Sequence, residues 1–355
     1  MRTTLRIFPA ADFESVAAAL FQAAGTPGPE ARRVAQSLVR SSLAGHDSHG
    51  VLRIPEYLRF INEGTVSPGA AIEVRRTSDT TAVVDCGQNF GAVGASRAIE
   101  TGIEIARAHR TACVTTLRCS HVGRLGEYVE TAARSDLIAI ATCNSPIGGH
   151  FVLPWGGREG RLATNPLAYA IPSAGDPIVA DFSTSVAPEG KVRVHHNQDK
   201  PLPLGWIVDA DGHPSTDTNK FYGPPRGGIL PLGGSAGHKG FALGLLVDIL
   251  GCALNGISST DPDTLGNGVC FLVVDPAAFC PVDTFRQEVA RTIAYMKSSA
   301  PAPGFDEVLV PGEIEFRTMR RREEEGIPID EPTWQAIEEH ADRLGVSLEE
   351  LTREE

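Results

Sequence analysis

Short apolar runs, bounded by turn residues and separated by stretches of helical spacing, constrain this chain more than any other feature. Residues 112–117, 137–142, 167–171, 178–181 and 269–274 are rich in Ala, Val, Ile and Leu and too short for buried helices. They read as strands covered on both faces. Residues 82–86 add a further short strand, and helical stretches fall at 96–109, in the segment ending near 133, at 241–254 and at 282–297. Two more helices, 13–20 and 31–43, open the chain, and the portion from Pro311 onward reads as helix to its end. Strands alternating with helices give an α/β fold with helical ends. At 355 residues the chain can bury a large core and is expected to fold as two lobes.

The formal net charge is −12, and the densest basic run, Arg320-Arg321-Arg322, is followed at once by Glu323-Glu324-Glu325. Such a run reads as a solvated helix face. No basic block offsets the acidic balance, so neither nucleic acid nor an anionic membrane surface is an expected partner. No uncharged apolar run approaches the roughly 20 residues that span a bilayer, and no cationic segment precedes an apolar core at the start. The seven cysteines (86, 113, 119, 143, 252, 270, 280) never show Cys-x-x-Cys spacing, and several sit in strand-like runs, as reduced core thiols do. The expected location is the cytoplasm, with no structural zinc.

Chemistry concentrates in Gly45-His46-Asp47-Ser48-His49-Gly50-Val51-Leu52-Arg53-Ile54-Pro55-Glu56-Tyr57. Arginine offers a planar fork of donors matched to a carboxylate, and histidine exchanges a proton near neutral pH. Pro55 marks the first turn of a helix reaching about Gly64, with Tyr57 in that turn and Ser48, His49 and Arg53 just before it. A second polar loop, from Arg118 through Ser120, His121 and Gly123 to Tyr128, follows a buried strand. Ligands of α/β proteins gather at such strand ends.

Several familiar patterns do not hold. No Gly-x-Gly-x-x-Gly follows a strand, which argues against a Rossmann fold, and Gly237-His238-Lys239-Gly240 lacks the paired Gly-Lys and hydroxyl of a phosphate loop. Gly233-Gly234-Ser235-Ala236-Gly237 matches the nucleophile elbow of serine hydrolases. Pro231 spoils the strand before it, however, and no suitable acid and histidine follow in order. His46 and His49 lack the carboxylates of a metal site, and His195-His196 is expected in an exposed strand or turn without a role. Asp209-Ala210-Asp211-Gly212 reads as a hairpin turn rather than a calcium loop.

Taken together, the segments resemble the type-2 malate/L-lactate dehydrogenases, a family that includes ureidoglycolate, sulfolactate and diketogulonate dehydrogenases and the piperideine-2-carboxylate reductases. The resemblance is carried by Asp47-Ser48-His49-Gly50-Val51 with Arg53 and Tyr57, Ser120-His121 with Gly123, Asn144-Ser145, Pro154-Trp155-Gly156-Gly157 and Thr164-Asn165-Pro166. It continues through Asp181-Phe182-Ser183-Thr184-Ser185, Gly190-Lys191, Pro203-x-Gly205-Trp206, Asp209-x-Asp211-Gly212, Leu230-Pro231-Leu232-Gly233-Gly234, His238-Lys239-Gly240 and Pro311-Gly312-Glu313. The motifs run in family order from about residue 45 to 315. Ser120 replaces a frequent Asn and Ala163 a frequent Gly, which touches fine positioning rather than class.

The resemblance implies a non-Rossmann mixed seven-stranded sheet in an NAD(P)-binding domain, 118–299. A substrate and dimerisation domain is then built from 1–117 with 300–355. It also implies a homodimer that uses NAD or NADP to interconvert a small 2-hydroxy acid and its 2-oxo acid. Reduction of a cyclic imino acid is the alternative within the fold, and a hydrolase built on Ser235 is a distant one. In the implied site Arg53 grips the carboxylate of the substrate, with Ser48, His49 and Tyr57 supplying further hydrogen bonds. His121 is the implied proton donor, and His49, together with Asp181, is the rival acid–base group. The cofactor wall would comprise His121, Gly123, Asn144, Ser145, Thr164, Asn165, Asp181, Phe182, Ser183, Leu232, Gly233, Lys239, Gly312 and Glu313. Glycines there permit close backbone approach, and no metal is implied.

Overall fold

A computed structural model describes residues 5–351; residues 1–4 and 352–355, placed above in the expected substrate and dimerisation domain, lie outside the described residues. The chain opens with strand β1 (Leu5–Phe8) and helices α1 (Ala10–Ala23) and α2 (Gly28–Leu43), the latter with proline in its first turn. Two 3-10 turns, Asp47–His49 and Val51–Arg53, then lead into α3 (Ile54–Asn62), where Pro55 stands in the first turn as expected. Next come β2 (Glu73–Arg76), β3 (Thr81–Asp85), α4 (Gly91–His109), β4 (Thr111–Leu117), α5 (Gly126–Ala133) and β5 (Ile138–Cys143). They are followed by β6 (Leu167–Ile171), β7 (Ile178–Phe182), α6 (Glu189–Asn197), β8 (Ile207–Val208), β9 (Pro214–Ser215), α7 (Thr218–Tyr222) and β10 (Gly228–Ile229). The chain continues with α8 (Gly237–Gly251), β11 (Val269–Val274), α9 (Val282–Lys297), α10 (Glu313–Glu325), β12 (Ile327–Asp330) and α11 (Glu331–Leu344).

The apolar runs become a seven-stranded sheet in the order β2-β3-β4-β11-β5-β6-β7. Only β3 and β4 pair in parallel; β11 is antiparallel to both β4 and β5, so the sheet is mixed. One face is sealed by α4 and α5, whose Ile99, Ile105, Tyr128 and Val129 pack on Val84, Val114, Phe271 and Val273. The boundary expected at residue 117 falls at the end of β4, so the segment 73–117 supplies three strands of this sheet.

A second core gathers the two ends of the chain: Phe13, Phe21, Leu38, Ile54, Tyr57 and Phe90 meet Ile327, Trp334 and Ile337. Each fully buried side chain of this size contributes about 2 kcal/mol. Here the structure corrects the expectation of helix from Pro311 to the end. Ile327–Asp330 is a strand paired antiparallel with β1, Phe8 facing Ile327 and Leu5 facing Asp330. Four residues around Pro328 give too little periodicity to read, and the partner lies at the other end of the chain.

The two cores are joined by ion pairs through α5. Glu127 is buried and takes Arg33 and the Ser37 hydroxyl of α2, while Glu130, with no exposed surface, takes Arg40 and Arg134 at 2.8 Å each. Leaving such a buried carboxylate without its arginines costs about 3–5 kcal/mol. A small third cluster around β8, β9 and β10 includes Val192, Ile207, Phe221 and Ile229. Two-residue strands leave no pattern in a sequence. His195 and His196, expected in a strand or turn, lie instead in α6, where Glu189 and Arg193 pair one turn apart.

The helix α8 is patterned against the usual sense. Its buried face carries Gly237, Gly240, Gly244, Val247 and Gly251, while Leu243, Leu245, Leu246 and Ile249 face outward, 36–48% exposed. Glycine lets the backbone close in, since a side chain at Gly240 would lie 2.2 Å from the Leu232 carbonyl. Among the described residues one helical stretch, Gly234–Asn255, is by length and composition apolar enough to cross a bilayer, with 22 residues and a mean hydropathy of 1.4, but it holds Lys239 and is not an uncharged run. It carries Asp248, whose carboxylate bonds the Ser259 hydroxyl at 2.6 Å and the Asn144 amide at 3.3 Å, and so belongs to the packed scaffold.

Candidate active site

The loop after α2 is fixed before any catalytic group is considered. Val51 N–H donates to Ser42 Oγ at 3.0 Å, and a side chain at Gly50 would meet that oxygen at 2.0 Å, so only glycine fits the approach. From the other end of the sequence, α10 grips the loop. Arg322 bonds the Ser42 carbonyl and the Asp47 carboxylate, and His46 Nε2 lies 3.5 Å from Glu315. The Arg322 side chain is 12% exposed against 59% for Arg320 and Arg321. The reading of this run as a solvated face therefore holds for two arginines and fails for the third, which a helical turn of about 100° per residue rotates inward.

Loop and helix α3 together place Ser48, His49, Arg53 and Tyr57 against His121. The two imidazoles lie nearly parallel, 10° apart with centroids separated by 5.6 Å. His49 Nδ1 contacts Ser48 Oγ at 3.0 Å and His121 Nδ1 contacts the Tyr57 hydroxyl at 2.8 Å, which leaves Nε2 of each ring without a protein hydrogen-bond partner among the described residues. The phenol expected to bond the substrate is thus committed to His121. Its ring lies against Phe21, Phe60 and Phe90. The guanidinium of Arg53 is aimed by the Ser48 carbonyl, which accepts from Nε at 2.7 Å, and by Glu56, a partner the sequence did not flag.

Electrostatics follow from burial. Burial, and then the Arg53 charge, push His121 from 6.5 down to about 3. His49 falls well below its ordinary value through burial, then His121, Arg53 and His46. Burial pushes the pKa of the Tyr57 phenol up, so it keeps its proton. At neutral pH the site holds two neutral imidazoles beside one guanidinium. Such a set pins a carboxylate and accepts a proton from a neighbouring hydroxyl.

The sheet ends bring in the remaining candidates. Asp181, at the end of β7, accepts the Gly126 N–H at 2.7 Å where α5 begins. From there the chain runs past exposed Phe182, pairs Thr184 with Thr164 and Leu232, and enters α6. A side chain on Gly190 of α6 would stand 3.6 Å from Ser48, so this segment joins the cofactor side to the substrate loop. Ser183 Oγ bonds the Ser185 carbonyl, and Ser145 lies beside Gly149. Asn144 and Asn165 are buried, and their amides bond Asp248 and the Gly244 carbonyl, which makes them props of α8. Gly312 is buried against Val179, and Glu313 is taken by Lys297 and the Val310 amide.

The cofactor side fits a dinucleotide. Leu232 and Phe182 form apolar shelves 37% and 36% exposed. Gly123 and Gly234 have left-handed backbones with nothing within 4 Å of a would-be side chain, so open space adjoins the backbone there, and Gly233 shares the turn. Lys239, in the first turn of α8, has neither an ion pair nor a hydrogen bond among the described residues; a cation there opposes the helix dipole and suits a phosphate partner.

Other patterns resolve into scaffold. Ser235 sits in an exposed 3-10 turn after a two-residue strand, with no histidine bonded to it among the described residues, so the nucleophile elbow is absent. Asp209, Asp211 and His213 approach within 4.8 Å, but the Asp209 carboxylate caps the amides of Asp211 and His213, as a hairpin turn requires.

Comparison with known proteins agrees with this geometry. The family model described as malate/L-lactate dehydrogenase matches residues 8–338. Hydroxycarboxylate dehydrogenase B of Escherichia coli O157:H7 is 34% identical over 352 residues, covering 97% of this chain and 96% of that one. The structure of malate dehydrogenase from Pyrococcus horikoshii OT3 superposes with a TM-score of 0.88 at 30% identity, covering 98% of each chain. That of delta1-piperideine-2-carboxylate reductase from Pseudomonas syringae pvar. tomato gives 0.82 at 27% identity, covering 95% of this chain and all of the other. With the match running almost end to end, in sequence and in fold, the chain belongs to the malate/L-lactate dehydrogenase family.

Proposed function

We propose that this protein is an NAD(P)-dependent dehydrogenase interconverting a small 2-hydroxy acid and its 2-oxo acid. The observation that carries the reading is the meeting of His49 and Arg53, from one loop, with His121 from another and Tyr57 behind them. Arg53 would hold the substrate carboxylate, with Ser48 and His49 closing around it. In the oxidative direction His121 Nε2 takes the hydroxyl proton; in the reductive direction the same atom returns it to the carbonyl oxygen. Leu232, Phe182 and Lys239 would hold the nicotinamide cofactor, which when bound would supply or accept the hydride. Tyr57 holds Nδ1 and keeps the ring turned toward the substrate. The Asp181 bond to Gly126 favours an anchoring role over proton donation.

A second reading, reduction of a cyclic imino acid with the proton delivered to nitrogen, is favoured by the likeness to the Pseudomonas reductase. The outward leucines of α8, and an α9 with no buried side chain, support a homodimer as the working form. Seven free thiols support a cytoplasmic location. The decisive experiment is a matrix of NADH and NADPH against pyruvate, oxaloacetate and piperideine-2-carboxylate, followed at the nicotinamide absorbance. Turnover of a 2-oxo acid is expected; turnover of the imine alone would transfer the assignment to the second reading.

A further inference from the structure

The His121 loop and the Asn144-Ser145 turn leave the sheet from β4 and β5, two strands that do not touch. The strand between them is β11, antiparallel to both, so its first residues lie at the end where β4 and β5 finish. Asn267, just ahead of β11, occupies that gap. Its backbone N–H donates to the Cys119 carbonyl at 2.5 Å. Its side-chain oxygen accepts the Val122 N–H at 3.1 Å, and its side-chain nitrogen donates to the Asn144 carbonyl at 2.8 Å. Cys119 and Val122 bracket His121. One residue therefore bonds the loop on both sides of the proton-transfer group and, with the same amide, the turn that opens the cofactor wall.

We propose that Asn267 is a positioning residue that sets His121 in register with the cofactor. The inference rests on the reading of His121 as the proton-transfer group. The opposite flank of the loop is already fixed. Ser120 Oγ donates to the Gln88 carbonyl at 3.2 Å, and a side chain at Gly91 would lie 2.2 Å from the His121 carbonyl. The flank toward β5 is held by Asn267, which takes the Val122 N–H, and by the Tyr128 hydroxyl, which donates to the Val122 carbonyl at 2.6 Å; of the two, Asn267 alone also reaches the Asn144 turn. An amide is suited to the task because it offers one acceptor and one donor in a fixed plane. Aspartate keeps the acceptor for Val122 and loses the donor for Asn144; alanine loses both.

The test compares wild type with Asn267→Ala, Asn267→Asp and His121→Ala in the full-length protein, using NADH or NADPH deuterated at the transferred position. Misplacement of a reacting group by an ångström costs on the order of 10²-fold in rate. We expect kcat of Asn267→Ala to fall by about that factor, with KM for the 2-oxo acid within roughly two-fold of wild type. The melting temperature should stay close to that of wild type, and the deuterium isotope effect on kcat should grow because the chemical step becomes limiting. Asn267→Asp should fall between the two, and it decides the matter if the alanine variant does not fold. Unchanged kcat in both variants while His121→Ala is inactive overturns the inference alone. So does a loss of stability, kcat and KM together with an unaltered isotope effect. Near-normal turnover in His121→Ala overturns the underlying reading and the inference with it.

Discussion

The two halves of the site are built in opposite ways. On the substrate side, four side chains from Ser48 to Tyr57, with His121, are each tied to a neighbour by hydrogen bonds of about 3 Å or less, and α10 clamps the loop that carries them. On the cofactor side the polar side chains that looked most like ligands, Asn144 and Asn165, are consumed by the scaffold, and what remains open is backbone, two apolar surfaces and Lys239. On the proposed reading the substrate half would concentrate its binding energy in a few groups, whereas the cofactor half would spread recognition over a surface. Substitutions should be severe in the first and mild in the second.

That contrast can be broken or sharpened by substitution. Among substitutions that act on binding, the largest effect is expected from Arg53→Ala, which removes a charged hydrogen-bond donor from the substrate carboxylate. A loss of about 3 kcal/mol, on the order of 10²-fold in kcat/KM, should fall mainly on KM of the 2-oxo acid. Steady-state kinetics at saturating cofactor checks it. Arg322→Ala comes next. Freeing Asp47 and the Ser42 carbonyl loosens the loop without touching substrate, and KM should rise about ten-fold, near the 1.5 kcal/mol of a single charged hydrogen bond. If KM does not move, α10 is not the clamp described here. Lys239→Ala should be milder, raising the cofactor Kd in a fluorescence titration by no more than about five-fold, as for an exposed charge.

How far these features could be read from the sequence follows the same division. The continuous apolar runs marked every strand of the sheet from β3 onward, because strands covered by helices need no polar alternation. The motif order located the loops of His49 and His121. What stayed hidden depends on distant partners. Asn267 precedes an apolar strand like many turn residues, and its role exists only because β11 lies between β4 and β5. Arg322 stands in a charged run whose helical phase buries one member of three. Glu56 and Glu127 sit inside the quoted segments, yet the arginines that claim them are fixed by packing.

The smallest expected effect concerns pH and stability. The native state holds His121 neutral down to about 3, and His49 is likewise depressed, whereas the unfolded chain takes up protons near 6.5. The unfolded state therefore binds more protons between those values, so this contribution is intact above pH 6.5 and is lost as pH falls toward 3. A His121→Gln variant should show a shallower fall in melting temperature over that window than wild type. An identical slope would mean that His121 titrates normally in the folded protein.

The most direct test of the account is single-turnover reduction of a 2-oxo acid by pre-bound NADH or NADPH in His121→Ala and His49→Ala. The account predicts that His121→Ala loses about 10³-fold in the rate of nicotinamide oxidation, recovered in part by added imidazole, while His49→Ala loses chiefly affinity for the acid. A near-normal rate in His121→Ala with an inactive His49→Ala would contradict it.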